Sequence, residues 1–207
     1  MSGIKRAGML LALLAAPAFF FLFLKTCGTN HYDLPYFHPL KDAAGHVILK
    51  GSDTVYYQVS GVLGIAPDGD TITSAILEGH VNAFYLGPGN PEIGDRSTEN
   101  RNRILDRLAS EDTFQFIERV AQPDMKGYAS PAVVTVKEAS DLNRWEDLLK
   151  VGKKYGTNGT FYENSSLVLV DSERYIRGYF DLSDPDDFDR SIAEVKVLLY
   201  NKRLAEK

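Results

Sequence analysis

The chain reads as an α/β protein: a mixed sheet flanked by helices, preceded by one N-terminal transmembrane helix. Three observations predict this. An uncharged apolar run occupies residues 7–24. Beyond it, strand-length apolar runs alternate with helical patterns. The chain then closes on a hairpin pattern followed by a clearly capped helix. The predicted order after the apolar run is β-β-β-α-β-α-β-β-α.

The apolar run reads AGMLLALLAAPAFFFLFL. At ~1.5 Å per residue such a helix reaches ~27 Å, close to the ~30 Å of a hydrocarbon core. Lys5 and Arg6 precede it and Lys25 follows. The basic N-terminal flank favours the cytoplasmic side, which sends the remainder across the membrane. Pro17 is tolerated in a membrane helix more readily than in a soluble one. A cleaved signal peptide has a shorter apolar core, of ~7–15 residues, and a small-residue exit, whereas this exit is rich in Phe. A lipoprotein signal ending at Cys27 would put Lys25 and Thr26 just before the modified thiol, where they fit poorly. The expectation is an anchor at 1–25, with cleavage and lipidation as alternatives.

Residues 26–52 mix Pro, Gly, His and aromatic residues without a period, and read as a juxtamembrane tether or a segment draped on the domain. The domain itself is placed at 53–207, a length suited to one core. Residues 54–59 (TVYYQV) look like a strand. Residues 62–76 hold Pro67-Asp68-Gly69-Asp70 between apolar flanks, a hairpin signal. Residues 80–86 (HVNAFYL) suit a central strand. Residues 97–109 form a helix with Ile104, Leu105 and Leu108 on one face and Arg101, Arg103 and Arg107 outside. Residues 113–120 alternate as a strand. Residues 140–155 form a second helix, with Leu142, Trp145, Leu148 and Leu149 at helical spacing and Gly156 as its stop. Residues 166–170 and 175–180 flank a turn at 171–174. The last helix starts at Ser183 or Asp184, with Pro185 in its first turn and Asp186, Asp187 and Asp189 complementing the dipole. Phe188, Ile192, Val195 and Leu199 form its buried stripe.

Composition narrows the function. With 44% hydrophobic and 25% charged residues in 207, the chain is neither disordered nor fibrous. A net charge of -5 excludes a nucleic-acid footprint, which needs clustered Lys and Arg. Only Lys5, Arg6 and Lys25 are charged up to residue 25, so the remainder carries 20 basic against 28 acidic side chains, net -8. Such a surface favours solubility and a basic partner over anionic lipid. The single cysteine, Cys27, excludes an intramolecular disulfide, a Cys-rich metal site and a dithiol pair within the chain.

Three stretches carry a family resemblance. Ser166-Leu167-Val168-Leu169-Val170-Asp171 followed by Tyr175-Ile176-Arg177-Gly178-Tyr179-Phe180-Asp181 resembles the terminal hairpin of the SCO/SenC family. The helix from Phe188 to Leu199 is similar to that family's last helix. Asn30-His31-Tyr32-Asp33-Leu34-Pro35 is similar to the juxtamembrane segment of some bacterial members. The resemblance implies a membrane-tethered thioredoxin-like domain in the periplasm, attached to a bacterial inner membrane by a single span. It also implies a copper site, a Cys-x-x-x-Cys loop after the central strand plus a His before the terminal hairpin, serving the copper centre of cytochrome c oxidase. This sequence departs from that pattern. The loop reads Gly87-Pro88-Gly89-Asn90-Pro91-Glu92, and Glu163-Asn164-Ser165-Ser166 stands where the His is expected. A soft metal needs thiolate, thioether or imidazole, which these residues do not supply.

The resulting expectation is a non-catalytic module that works by protein–protein contact, with no catalytic residue and no resident cofactor. Gly87, Pro88, Gly89, Asn90, Pro91, Glu163 and Asn164 are its candidate partner-binding residues. The first alternative is a copper chaperone with unconventional ligands. Cys27 and His31 are four residues apart, on one face if helical, and His38 and His46 follow in the tether. The second is a thiol-redox enzyme working through Cys27. Other motifs have simpler explanations: the 87–91 segment lacks the Lys and Ser/Thr of a phosphate loop, and helix capping accounts for the aspartates at 181–189 better than calcium does.

Overall fold

A computed structural model describes residues 15–17, 19–20, 33–66, 68–87, 94–120, 133–137, 142–151 and 165–206. The chain divides into two units, Met1–Asp33 and Leu34–Lys207. In the first, residues 15–17 and 19–20 are helical. Among the described residues no helix is long and apolar enough to cross a membrane, and most of the expected anchor lies outside them.

The second unit is a seven-stranded sheet covered by helices. Its elements are a two-stranded ribbon, β1 (Leu49–Lys50) and β2 (Asp53–Thr54), then β3 (Val62–Ile65), β4 (Thr71–Thr73) and a 3-10 turn Ser74–Leu77. Next come β5 (Val81–Tyr85), α1 (Gly94–Leu108), β6 (Phe114–Val120), β7 (Val133–Lys137) and α2 (Leu142–Leu149). The chain ends in β8 (Leu167–Val170), β9 (Ile176–Phe180) and α3 (Pro185–Ala205). Strand order in the main sheet is β4-β3-β7-β6-β5-β8-β9. β5, β6 and β7 run parallel, while β3, β4, β8 and β9 pair antiparallel. A parallel β5-α1-β6 unit beside an antiparallel β8-β9 hairpin, closed by a C-terminal helix, is the thioredoxin-like arrangement.

β5 is an interior strand, and both its faces are buried. Val81 and Ala83 join a core beneath α1 and α3, with Ile104, Leu105, Leu108, Phe188, Ile192, Val195 and Leu199. Phe84 faces the opposite core, with Ile117, Val168, Tyr179 and the α2 residues Trp145 and Leu149. Full burial of such a side chain stabilises by roughly 1.5–3 kcal/mol over leaving it in water. The Trp145 indole stands edge-on to Phe84 at 5.3 Å, and its N–H reaches Leu63 O at 2.6 Å, satisfying the one polar atom it buries. The α3 cap is Asp184, whose carboxylate accepts from the amides of Asp186 and Asp187.

Four sequence expectations change. Residues 54–59 form a strand only at Asp53–Thr54; beyond it Tyr56 and Gln58 make single bridges to Pro39 and Tyr175. The extended backbone is shared between two unlike neighbours, so no continuous ladder forms. Helix α2 ends at Leu149 rather than near Gly156. Lys150 takes the left-handed conformation (φ 56) and the Val151 amide bonds back to Glu146 O at 2.9 Å, closing the last turn without glycine. Strand β7 is an addition, built on the β-branched Val133 and Val134. Arg101 is not an outward residue but is turned against β6.

The segment before β1 belongs to the same unit as the sheet, which therefore begins well ahead of residue 53. Leu34 and Phe37 pack against the two cores. Arg177 of β9 fastens the segment: Nε donates to Pro35 O at 3.1 Å, Nη2 donates to Leu34 O, and the guanidinium lies 3.7 Å over the Tyr36 ring. Its charge is balanced by Asp171 at 2.8 Å.

Candidate functional site

In α/β sheets the ends of parallel strands and the starts of the following helices form the natural crevice. Here that place is the C-terminal end of β5, where Tyr85 and Leu86 lead to Gly87. Gly87 has φ 92 with nothing within 4 Å of a would-be Cβ, so the turn needs glycine for its backbone conformation and not for space. Pro88, Gly89, Asn90 and Pro91 lie outside the described residues, as do Glu163 and Asn164.

The described rim of the crevice is polar and tightly bonded. The Ser97 hydroxyl on α1 lies 3.5 Å from that of Tyr85. One turn on, Asn100 donates to Leu182 O at 2.8 Å, while the Leu182 amide donates to Ser166 Oγ at 2.7 Å. The Asp181 carboxylate accepts from the Ser183 amide and hydroxyl at 2.8 and 2.6 Å. These bonds tie the start of α1 to the turn between β9 and α3. Behind them Arg101 and Glu118 form a buried ion pair, with Nε donating to Oε2 at 2.9 Å. Every polar group named here is spent on structure, so the described rim presents a rigid surface and no activated nucleophile.

His38 has a different position from the one its tether location suggests. It sits half-buried with φ 58, and Nε2 lies 2.6 Å from the Tyr179 hydroxyl. Tyr179 gives its single proton to Leu149 O at 2.7 Å, so the proton in the 2.6 Å contact is carried by Nε2 of His38. Burial, and secondarily the Lys150 charge, lower its pKa from 6.5 to about 4. The imidazole is thereby held neutral and engaged as a cross-link between the N-terminal segment, β9 and the end of α2. His46 is exposed beside Asp42 at 3.5 Å, and His80 bonds to Glu78 O at 3.0 Å. Cys27 and His31 lie outside the described residues. Among the described residues no group of three or more His, Cys, Asp or Glu side chains is placed to hold a metal ion.

Sequence reasoning missed the Arg177–Asp171 clamp, the Arg101–Glu118 pair, the His38–Tyr179–Leu149 link and a hollow lined by Tyr36, Tyr56 and Tyr175. The two ion pairs join residues 6 and 17 positions apart across element boundaries, while the His38 link and the hollow join distant parts of the chain; the repeated tyrosines near 32–36, 56–57 and 175–179 were the signal available.

The fold and this rim define a thioredoxin-like module whose crevice loop contains no thiol. No family model matches the chain, and no curated protein matches its sequence. Among solved structures the chain is similar to BsSco, a member of the Sco family of cytochrome c oxidase assembly proteins. That match has 15% identity and a TM-score of 0.49, over 70% of this chain and 94% of that one. It is also similar to apo Sco1 from Thermus thermophilus (15% identity, TM-score 0.48, 68% and 91% covered). A SCO1/SenC family lipoprotein from Bacillus anthracis matches at 12% identity and TM-score 0.47, with 67% and 92% covered. The thioredoxin-like assignment rests on the strand order and connections described above.

Proposed function

We propose that this chain is a membrane-anchored, non-catalytic SCO-like protein that acts by protein–protein contact on the periplasmic side of a bacterial inner membrane, in the assembly of a respiratory oxidase. The observation that carries the reading is the loop after β5. At the crevice of a thioredoxin-like fold it reads Gly87-Pro88-Gly89-Asn90-Pro91-Glu92, and the chain's one cysteine, Cys27, comes before every strand in the sequence. Thiol exchange needs a thiolate and Cu(I) needs soft ligands, and this loop sequence supplies neither. The copper-chaperone alternative would have to reach His38 through Nδ1, because Nε2 is engaged by Tyr179.

Affinity purification of the full chain from detergent-solubilised membranes tests the reading. Subunits of a terminal oxidase or a related respiratory complex are expected to co-purify, and Asn90→Arg is expected to diminish them. Recovery of the bait alone, under conditions where the membrane complexes stay intact, overturns it.

A further inference from the structure

A second concave surface lies on the N-terminal segment and the β8-β9 turn, and the function proposed above does not use it. Tyr36, Tyr56 and Tyr175 line it together with Ser52, Asp53, Thr54 and Glu173, enclosing about 460 Å³. That volume falls within the range of small-molecule sites, roughly 300–1,000 Å³. Tyr36 and Tyr56 stack at 5.1 Å, and Tyr175 stands edge-on to Tyr36 at 5.4 Å. Arg177 covers one face of Tyr36, so that ring is backed by a buried guanidinium. A preformed aromatic wall of this kind offers π faces at little entropic cost.

Charge decides what the wall can receive. Asp53 and Glu173 are exposed at its rim. Among the described residues neither enters an ion pair: Asp53 accepts only from the Ser52 hydroxyl at 3.2 Å, and Glu173 bonds through its backbone alone. Nearby cations are otherwise engaged or not bridged. Arg177 is paired with Asp171, and Arg174 faces Glu78 at 3.5 Å. Lys50 lies opposite Asp53 in the β1-β2 ladder without an ion pair. Two carboxylates beside three tyrosines select for a cation with apolar surface, because the ring quadrupole and the carboxylates attract the same charge.

We propose that the Tyr36–Tyr56–Tyr175 hollow is a binding site for an organic ammonium group, seated against the tyrosine wall with Asp53 and Glu173 supplying the counter-charge. A free methylated ammonium compound and a lysine side chain of a protein share this chemistry. The site is separate from the crevice at the end of β5, and it stands or falls independently of the assembly role.

Calorimetric titration of the full chain in non-ionic detergent tests it, using choline, Nα-acetyl-lysine-amide and the neutral choline isostere 3,3-dimethylbutan-1-ol. Saturable binding of at least one cation, weakened by added salt and absent for the isostere, is expected. Glu173→Gln and Tyr56→Leu should each weaken it about 2- to 5-fold. Both alter partly or fully exposed side chains, and unchanged thermal unfolding will show that the fold persists. Tighter choline binding assigns a small-molecule ligand; tighter binding of the lysine derivative assigns a protein side chain. No saturable binding of either cation, equal binding of the isostere, or full affinity in both variants overturns the proposal.

Discussion

Arg177→Met removes the guanidinium that fastens residues 34–36 while keeping an unbranched stem in the core. The residue is 5% exposed, and its contacts among the described residues include an ion pair to Asp171, bonds to the carbonyls of Leu34 and Pro35, and the stack on Tyr36. Its loss strands the Asp171 carboxylate without a counter-charge, and removing one partner of a buried pair costs about 3–5 kcal/mol. Asp171 Oδ1 still accepts from the amides of Glu173 and Tyr175 at 3.0 and 2.9 Å. Water can also reach the freed carbonyls, so the lower end, about 3 kcal/mol, is expected. At roughly 2–4 °C per kcal/mol for a chain of this size, Tm falls by about 6–12 °C in near-UV circular dichroism melts. Adding Asp171→Asn keeps the Oδ1 acceptor and removes the stranded charge, so the double variant should regain about half of the loss. A single-variant cost below about 1 kcal/mol, or a double variant less stable than the single one, would refute the clamp.

Because the folded pKa of His38 lies below its unfolded value, unfolding takes up a proton between pH 6.5 and about 4; stability should be flat above pH 7 and fall across that window. At 1.36 kcal/mol per pH unit the full interval would be ~3.4 kcal/mol, which partial solvent access reduces to ~1–2 kcal/mol. The wild-type minus His38→Phe difference in urea midpoints against pH isolates it, and a flat difference would contradict it. Gly178→Ala places a Cβ 2.6 Å from the Phe180 ring and 3.0 Å from a Glu194 carboxylate oxygen, so a loss of about 1–3 kcal/mol is expected in urea unfolding. Arg174 adopts φ 72 in the β8-β9 turn, and Arg174→Gly should stabilise by about 0.5–1 kcal/mol despite losing the 3.5 Å contact to Glu78; a lower Tm would show that the contact outweighs the strain.

Where local chemistry decides structure, the sequence was legible. Pro67-Asp68-Gly69-Asp70 announces the β3-β4 hairpin, and Asp184-Pro185 announces α3, because turns and caps depend on adjacent residues. The largely apolar run of β5 likewise marks an interior strand, buried on both faces. The end of α2 was not legible, since a non-glycine residue at left-handed φ depends on tertiary support. The clamp, the His38 link and the tyrosine hollow were hidden for a related reason: each joins residues more than a hundred positions apart, and no local period encodes that distance. His38 shows the consequence. In sequence it is one of three tether histidines without a metal-site spacing, yet in the fold its Nε2 meets a core tyrosine.

The crevice loop is the place to test the central claim. With a photo-cross-linking residue at Asn90, irradiation of intact membranes is expected to join the full chain to a subunit of a respiratory oxidase. The same residue at the exposed Asp112, on the α1–β6 turn, should give no such adduct. No protein adduct at Asn90, or an identical pattern from both positions, would contradict a docking role for this end of the fold.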